Sequence, residues 1–219
     1  MEIDPRTLQT RDRYKLLIGG IVPRPIAVVS TVSTDGAPNL APYSFFNGVG
    51  SDPMMLLFCP ANDMQGNEKD SLRNAKPVDE GGTGEFVVNV APDALVEKIA
   101  AAAEALPHGE SEFDLVGLES TPSQVVRAPR MKESPIAFEC RTHTVIRTHP
   151  GAPAGGNVVL GEVVHVFVDD AVIDAEKLRI DPSALDLVGR MGGFGYARTR
   201  DRFEVVSGKR ALEDGRRTS

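Results

Sequence analysis

The chain has no tryptophan, only three tyrosines, two cysteines and four histidines. Two cysteines cannot build a disulfide framework, which excludes a small stapled scaffold. Cys59 and Cys140 both fall in apolar strand-like runs and read as small buried hydrophobes of a reducing compartment. His108, His143, His149 and His165 are scattered without metal-ligand spacing, so no metal site is expected. Basic charge is also short: 31 acidic residues outnumber 24 basic ones, for a net charge of −7. That balance speaks against nucleic acid or an anionic membrane as a partner. No apolar run approaches the length of a bilayer span. The first fifteen residues, MEIDPRTLQTRDRYK, lack the apolar stretch of a signal peptide, and a cytoplasmic protein is expected. Phosphate-loop, zinc-protease, nucleophile-elbow and CxxC patterns are all missing. The glycine-rich RMGGFGY at residues 190–196 is not a dinucleotide fingerprint, and the strand-rich order disfavours a Rossmann domain.

What remains is a chain of 219 residues, suited to one domain over residues 1–205 with a flexible tail over 206–219. A helix is expected over residues 7–18, stopped by Gly19 and Gly20. The clearest helix starts at Pro92 with Asp93 as its cap, and carries an apolar stripe of Leu95, Ile99, Ala102, Ala103 and Leu106. Residues 86–91 read as a short apolar strand. Residues 136–148 alternate, with Ile136, Phe138, Cys140 and Ile146 on one face and Glu139, Arg141, His143 and Arg147 on the other. Residues 158–168 place Val158, Leu160, Val164, Val166 and Val168 on one side. The Gly/Pro-rich residues 150–156 then make a mobile hairpin tip. Glu162 interrupts an apolar face and is expected to be a half-buried, paired carboxylate. Asp181 caps a short helix ending at Gly189.

The most informative stretch is residues 23–60, PRPIAVVSTVSTDGAPNLAPYSFFNGVGSDPMMLLFCP. Residues 26–32 alternate, and Asp35-Gly36 signals a two-residue hairpin turn. A second strand runs into Tyr43-Ser44-Phe45-Phe46-Asn47, and residues 54–59 form a third, wholly apolar strand. Strand ends offer backbone donors and acceptors to a flat heteroaromatic ring, and a phenylalanine can cover its face. Adjacent strand residues point to opposite sides, so one of Phe45 and Phe46 belongs to the core. Downstream, Lys69-Asp70-Ser71-Leu72-Arg73-Asn74 places an ammonium and a hydroxyl at the start of a short helix. Such a start suits a phosphate, although the same residues also describe a surface helix cap beside a solvated lysine.

This order of motifs resembles the flavin reductase-like family of FMN-binding split barrels. It runs PRPIAVVST, DG, PYSFFN, SDPMMLLF, KDSLRN, GEFVVNV, SPIAFECR, LGEVVHV and RMGGFGY, over roughly residues 13–202. The resemblance implies a mainly β Greek-key split β-barrel with flanking helices, and a homodimer with flavin between subunits. It also implies reduction of FMN by NADH or NADPH, sometimes on behalf of a partner monooxygenase. It places Ser30, Thr31, Ser44, Phe45 and Asn47 near the ring, and Lys69, Asp70 and Ser71 at the phosphate. Arg190 and Tyr196 complete the site, though Arg190 also suits a surface ion pair. Relatives often carry a histidine near the cofactor in the loop that holds His149. Some members hold FMN as a prosthetic group for electron transfer without oxidising a nicotinamide.

Overall fold

A computed structural model describes residues 1–107 and 109–213. The β-branched run after Pro25 forms β1 (Ala27–Val32), which turns back into β2 (Pro38–Tyr43). The strands β3 (Phe46–Ser51), β4 (Met54–Phe58), β5 (Glu85–Asn89), β6 (Ile136–Arg147) and β7 (Asn157–Val168) follow. Together they make a seven-stranded sheet in the order β2-β1-β5-β6-β7-β4-β3. Every neighbouring pair is antiparallel.

The sheet curls on itself. Ala27 and Val29 of β1 share one core with Phe86 and Val88 of β5, Cys140 of β6, Val159 of β7, and Leu56 and Phe58 of β4. Strands near opposite ends of the order therefore meet across an interior, as in a split β-barrel. Leu72 and Ala75 of the short helix α2 (Asp70–Ala75) plug that interior. On the outer face, Val28 and Leu40 pack with Ile99 of α3 (Val96–Ala101) and Phe113 of α4 (Glu112–Val116). The mainly β architecture with flanking helices is the one the motif order implied.

Several local expectations need correction. The first helix, α1 (Thr10–Gly20), runs through both glycines instead of stopping before them. Its end is stabilised from outside, because the Arg24 guanidinium donates to the carbonyls of Ile18 (2.7 Å) and Ile21 (2.6 Å). The Asp35-Gly36 hairpin is wider than two residues: Ser33 N–H donates to Ala37 O, and only Gly36 takes a positive φ. The third helix is shorter than its apolar stripe and ends at Ala101. Asp93 does not cap it, because its carboxylate is taken by Arg198 and Arg200, each at 2.8 Å. Asp181 does cap, accepting from the N–H groups of Ser183 and Ala184. That helix, α5 (Pro182–Leu185), is a single turn, and residues 188–190 instead form β8 (Val188–Arg190), paired with β9 (Tyr196–Arg198). Of the expected flexible tail, Arg210–Glu213 forms one helical turn, and residues 214–219 lie outside the described residues.

The faces of the two long strands also differ from strict alternation. Bulges at Glu139/Cys140 and Thr142/Thr144 shift the β6–β7 register. Glu139 keeps the face that alternation gives it, with Ala137 and opposite Phe138 and Cys140, and is fully buried there. Ile146, expected on the face of Cys140, turns outward and is 56% exposed. In β7 the core side carries Val159 and Gly161 instead of Val158 and Leu160. Gly161 is required there, since a Cβ would stand 2.4 Å from the Phe86 ring. Glu162 is exposed, so the buried carboxylate of this region is Glu139. Its two oxygens accept from Gln124 N–H and Val125 N–H, both at 2.8 Å.

Glu139→Ala removes the acceptor from both N–H groups and should cost roughly 3 kcal/mol in urea unfolding. Glu162→Ala should change stability by less than about 0.5 kcal/mol. Equal effects from the two would contradict the burial of Glu139 and the exposure of Glu162.

Candidate functional site

A cavity of about 540 Å³ opens between β2, α2 and the turn after α3. Alternation along β2 brings Asn39, Ala41 and Tyr43 to this wall. The facing wall is the start of α2, with Lys69, Asp70 and Ser71. Side-chain hydrogen bonds fix the two walls together. Asn39 Nδ2 donates to Ser71 Oγ at 3.1 Å, and the Tyr43 hydroxyl shares the same serine. Burial pushes the Tyr43 phenol up to about 12, so it stays protonated at neutral pH. On the far side of α2, Asn74 Nδ2 donates to Thr31 Oγ1 at 3.0 Å.

Charges around the cavity are mostly spoken for. Asp63 accepts from the N–H groups of Gln65 and Asn67, both at 2.8 Å, and the Asn67 bond above all holds its carboxyl low. Glu68 bridges Lys76 (3.0 Å) and Arg147 (2.8 Å), and Asp70 pairs with Arg73. Glu112 accepts from Leu40 N–H at 2.9 Å, and burial pushes its carboxyl up toward the neutral form. Among the described residues, the Lys69 ammonium has neither a hydrogen bond nor an acidic partner within 4 Å. An unpaired ammonium beside a hydroxyl and an amide suits a phosphate-bearing ligand, and the volume suits a small molecule.

A second cluster adjoins the first. Ser44 and Phe45 link β2 to β3, and Cys59 N–H donates to Phe45 O at 2.8 Å to hold the link in place. Arg24, only 4% exposed, reaches it from behind. Its Nε donates to Ser44 Oγ at 3.1 Å, one Nη donates to Met191 O at 3.0 Å, and its guanidinium lies 5.9 Å from the Phe45 ring centre. A backbone bridge between Arg24 and Arg190 (3.0 and 2.8 Å) brings in the β8–β9 hairpin. There the Arg190 guanidinium stacks 4.5 Å over the Tyr196 ring and donates to Gly195 O. Phe45 is two residues beyond Tyr43, roughly 7 Å along an extended chain. The cavity and this aromatic, cationic cluster are therefore neighbours.

Of the residues singled out in the sequence, Lys69, Asp70 and Ser71 line the cavity, while Ser44, Phe45, Arg190 and Tyr196 meet around Arg24. Others go elsewhere. The Ser30 hydroxyl faces the outer core, where it donates to Pro129 O and accepts from Asn89 Nδ2 at 3.0 Å. Thr31 is fully buried beneath Asn74. Asn47 is exposed on β3 and accepts from Gly48 N–H. Phe46 packs into the barrel core, which leaves Phe45 as the aromatic beside the cluster. His149 is exposed. The expected mobile tip at residues 150–156 is tied down instead. Asn62 N–H donates to Gly155 O (2.9 Å), Asn62 Nδ2 donates to Ala152 O (3.1 Å), and a Cβ at Gly66 would meet Gly151 O at 2.2 Å. This loop buttresses the turn that leads into Lys69. Sequence reasoning passed over Arg24, Asn39 and Tyr43. A charged residue locked between Pro23 and Pro25 at the entry to an apolar strand was the available signal for Arg24.

Comparison with known proteins agrees with this architecture. Residues 19–185 match the family model described as flavin reductase like domain. An uncharacterized protein of Deinococcus radiodurans is 40% identical over 211 residues, covering 92% of this chain and 87% of its own length. Among solved structures, nitrilotriacetate monooxygenase component B from Bacillus cereus superposes with a TM-score of 0.85 at 34% identity, over 94% of this chain and 98% of that one. The 2-nitrobenzoate 2-nitroreductase of Pseudomonas fluorescens superposes with a TM-score of 0.82 at 31% identity, over 95% and 97%.

The free ammonium makes a direct prediction. If Lys69 holds the phosphate of an FMN ligand, Lys69→Ala should weaken FMN binding roughly tenfold to a hundredfold, the loss of one charge-assisted hydrogen bond of about 1.5–3 kcal/mol. Riboflavin, which lacks the phosphate, should bind wild type and variant alike in fluorescence titrations. Equal weakening of both ligands would remove Lys69 from the phosphate.

Proposed function

We propose a function from one premise: the chain belongs to the flavin reductase-like family. The protein binds FMN and serves as an NADH- or NADPH-dependent flavin reductase. The carrying observation is the uncompensated Lys69 ammonium, set in a small-molecule cavity one short link away from an aromatic, cationic cluster. In this reading Lys69 holds the phosphate, with Ser71 fixed beside it by Asn39 and Tyr43. Asp70 pairs with Arg73, the other cation lining the cavity. The Ser44–Phe45 link lies along the ring, with Phe45 against its face and backbone groups at its polar edge. Arg190 and Tyr196 close the far side. Ser30 and Thr31 act through the strand backbone and the rigidity they lend to β1, and Asn47 at the start of the exposed β3.

Bound flavin would supply a ring that accepts hydride at N5, while the protein supplies binding, orientation and electrostatics. That division of labour fits a site built from hydrogen-bonding and aromatic groups, with no nucleophile paired with a base among the described residues. The likeness to a monooxygenase component B supports a further step, delivery of reducing equivalents to a separate oxygenase.

The active form in this reading is a homodimer. Along and after α1, Tyr14, Leu17, Ile21 and Val22 are 55%, 48%, 54% and 39% exposed, and Phe194 at the hairpin tip is 99% exposed. These residues flank the Arg24 cluster, and such an apolar surface beside a ligand site suits a second copy of the chain. Sedimentation should give a mass near twice 23.5 kDa. A flavin-loaded monomer would rule out a shared site.

The activity is tested by anaerobic mixing of the FMN-loaded protein with NADH and, separately, NADPH. Loss of the oxidised flavin band within seconds to minutes is expected with at least one of them. If neither bleaches the flavin and dithionite does, the reductase reading fails, and an electron carrier fed by another protein replaces it.

A further inference from the structure

We propose that Arg24 and Arg190 form a doubly positive rim that holds reduced, anionic flavin more tightly than oxidised flavin. This rests on the reading above, in which Ser44, Phe45 and Tyr196 border the ring.

The two arginines are directly opposite one another in an antiparallel bridge, with N···O distances of 3.0 and 2.8 Å. Residues so placed project their side chains to the same face, and like charges there repel. The repulsion is not cancelled locally. Arg24 donates only to the Ser44 hydroxyl and to the carbonyls of Ile18, Ile21 and Met191. Arg190 donates only to Gly195 O. Among the described residues, neither has a carboxylate within 4 Å, although the neighbouring Arg198 and Arg200 both pair with Asp93. Carbonyls and ring faces solvate a guanidinium without neutralising it. Burial and the nearby Arg190 both push the Arg24 guanidinium down, while the nearby Tyr14 acts the other way. A chain with seven excess acidic groups thus leaves two adjacent cations without a counter-ion, one of them buried. An isolated buried charge is costly, and an anion brought to this point relieves the strain.

The anion is not the phosphate, which has its own cation at Lys69. What borders the pair is aromatic: Phe45 at 5.9 Å from Arg24 and Tyr196 at 4.5 Å from Arg190. Oxidised flavin is neutral in its ring. Hydride transfer from a dihydronicotinamide would carry two electrons and one proton to N5 of a bound flavin, releasing the nicotinamide as a cation. It would leave the negative charge on the N1 side of the ring, toward which Arg24 and Arg190 would present their positive charge. The pair therefore meets a charge that exists only after reduction, and so favours the product of the transfer over its substrate. Arg24 has nearly all its donors committed and acts through its field. Arg190, half-buried with one bond made, is the member able to contact the ring.

The test is Arg190→Gln, which keeps a donor and removes the charge, read by the midpoint potential of bound FMN and by Kd for each redox form. Binding of oxidised FMN should change less than about threefold. Binding of reduced FMN should weaken about tenfold, which lowers the two-electron potential by roughly 30 mV. The same shift should appear with riboflavin, and Lys69→Ala should weaken both redox forms equally and leave the potential in place. A role for Arg190 in structure alone would also weaken both forms equally. An unchanged potential in an Arg190→Gln protein that still binds FMN would overturn the inference while leaving the flavin reading intact. A wild-type protein that binds no flavin would overturn the flavin reading and the inference together.

Discussion

Arg24 reaches from an extended corner between two prolines to three otherwise separate parts of the chain. It closes the carbonyl end of α1, steadies Ser44 in the β2–β3 link, and holds Met191 at the tip of the β8–β9 hairpin. Its backbone pairs with Arg190 as well. A lysine could not serve all these partners, because its ammonium is a point and lacks the planar fork. The barrel core supplies most of the buried apolar surface, but this guanidinium decides where the helix end, the strand link and the hairpin sit relative to one another. The aromatic half of the candidate site is made from those three parts.

The Lys69 half of the candidate site follows a different rule. Here Asp63, Glu68, Asp70 and Glu112 are occupied, in turn, by backbone N–H groups, by Lys76 and Arg147, by Arg73 and by Leu40 N–H. Glu104 is an exposed acid at the rim, and among the described residues Lys69 is the lining cation without a partner. The amides of Asn39 and Asn74 lock α2 onto β2 and β1 through two buried hydroxyls. A rigid wall with one free cation binds an anion without first having to order itself. The Asn62 contacts to the 149–156 loop extend the same rigidity to the turn before Lys69.

Strand content, strand order along the chain and the Lys69–Ser71 segment were legible in the sequence, because alternation and turn residues report local geometry directly. What escaped depended on distant contacts. Alternation in β6 assumes an unbroken register, and the bulge at Thr142/Thr144 turns Ile146 outward, while Glu139 is buried by the distant backbone of Gln124 and Val125. Asp93 reads as a helix cap until arginines more than a hundred residues later claim it. The glycines after Ile18 read as a stop because nothing nearby announces that Arg24 will satisfy the carbonyls there. Ser30 and Thr31 sit in a motif that the family resemblance associates with a flavin ring, yet which way each hydroxyl faces is set by Asn89 and Asn74. Phe45 and Phe46 are equivalent in composition and are separated only by the link that breaks the strand between β2 and β3.

The most direct test of the whole account is a crystal structure of the protein soaked with FMN. The account places the phosphate within hydrogen-bonding distance of Lys69 Nζ and the ring along the Ser44–Phe45 link, with Arg190 at its edge. A phosphate bound away from Lys69, or a ring that makes no contact with Phe45, would contradict it.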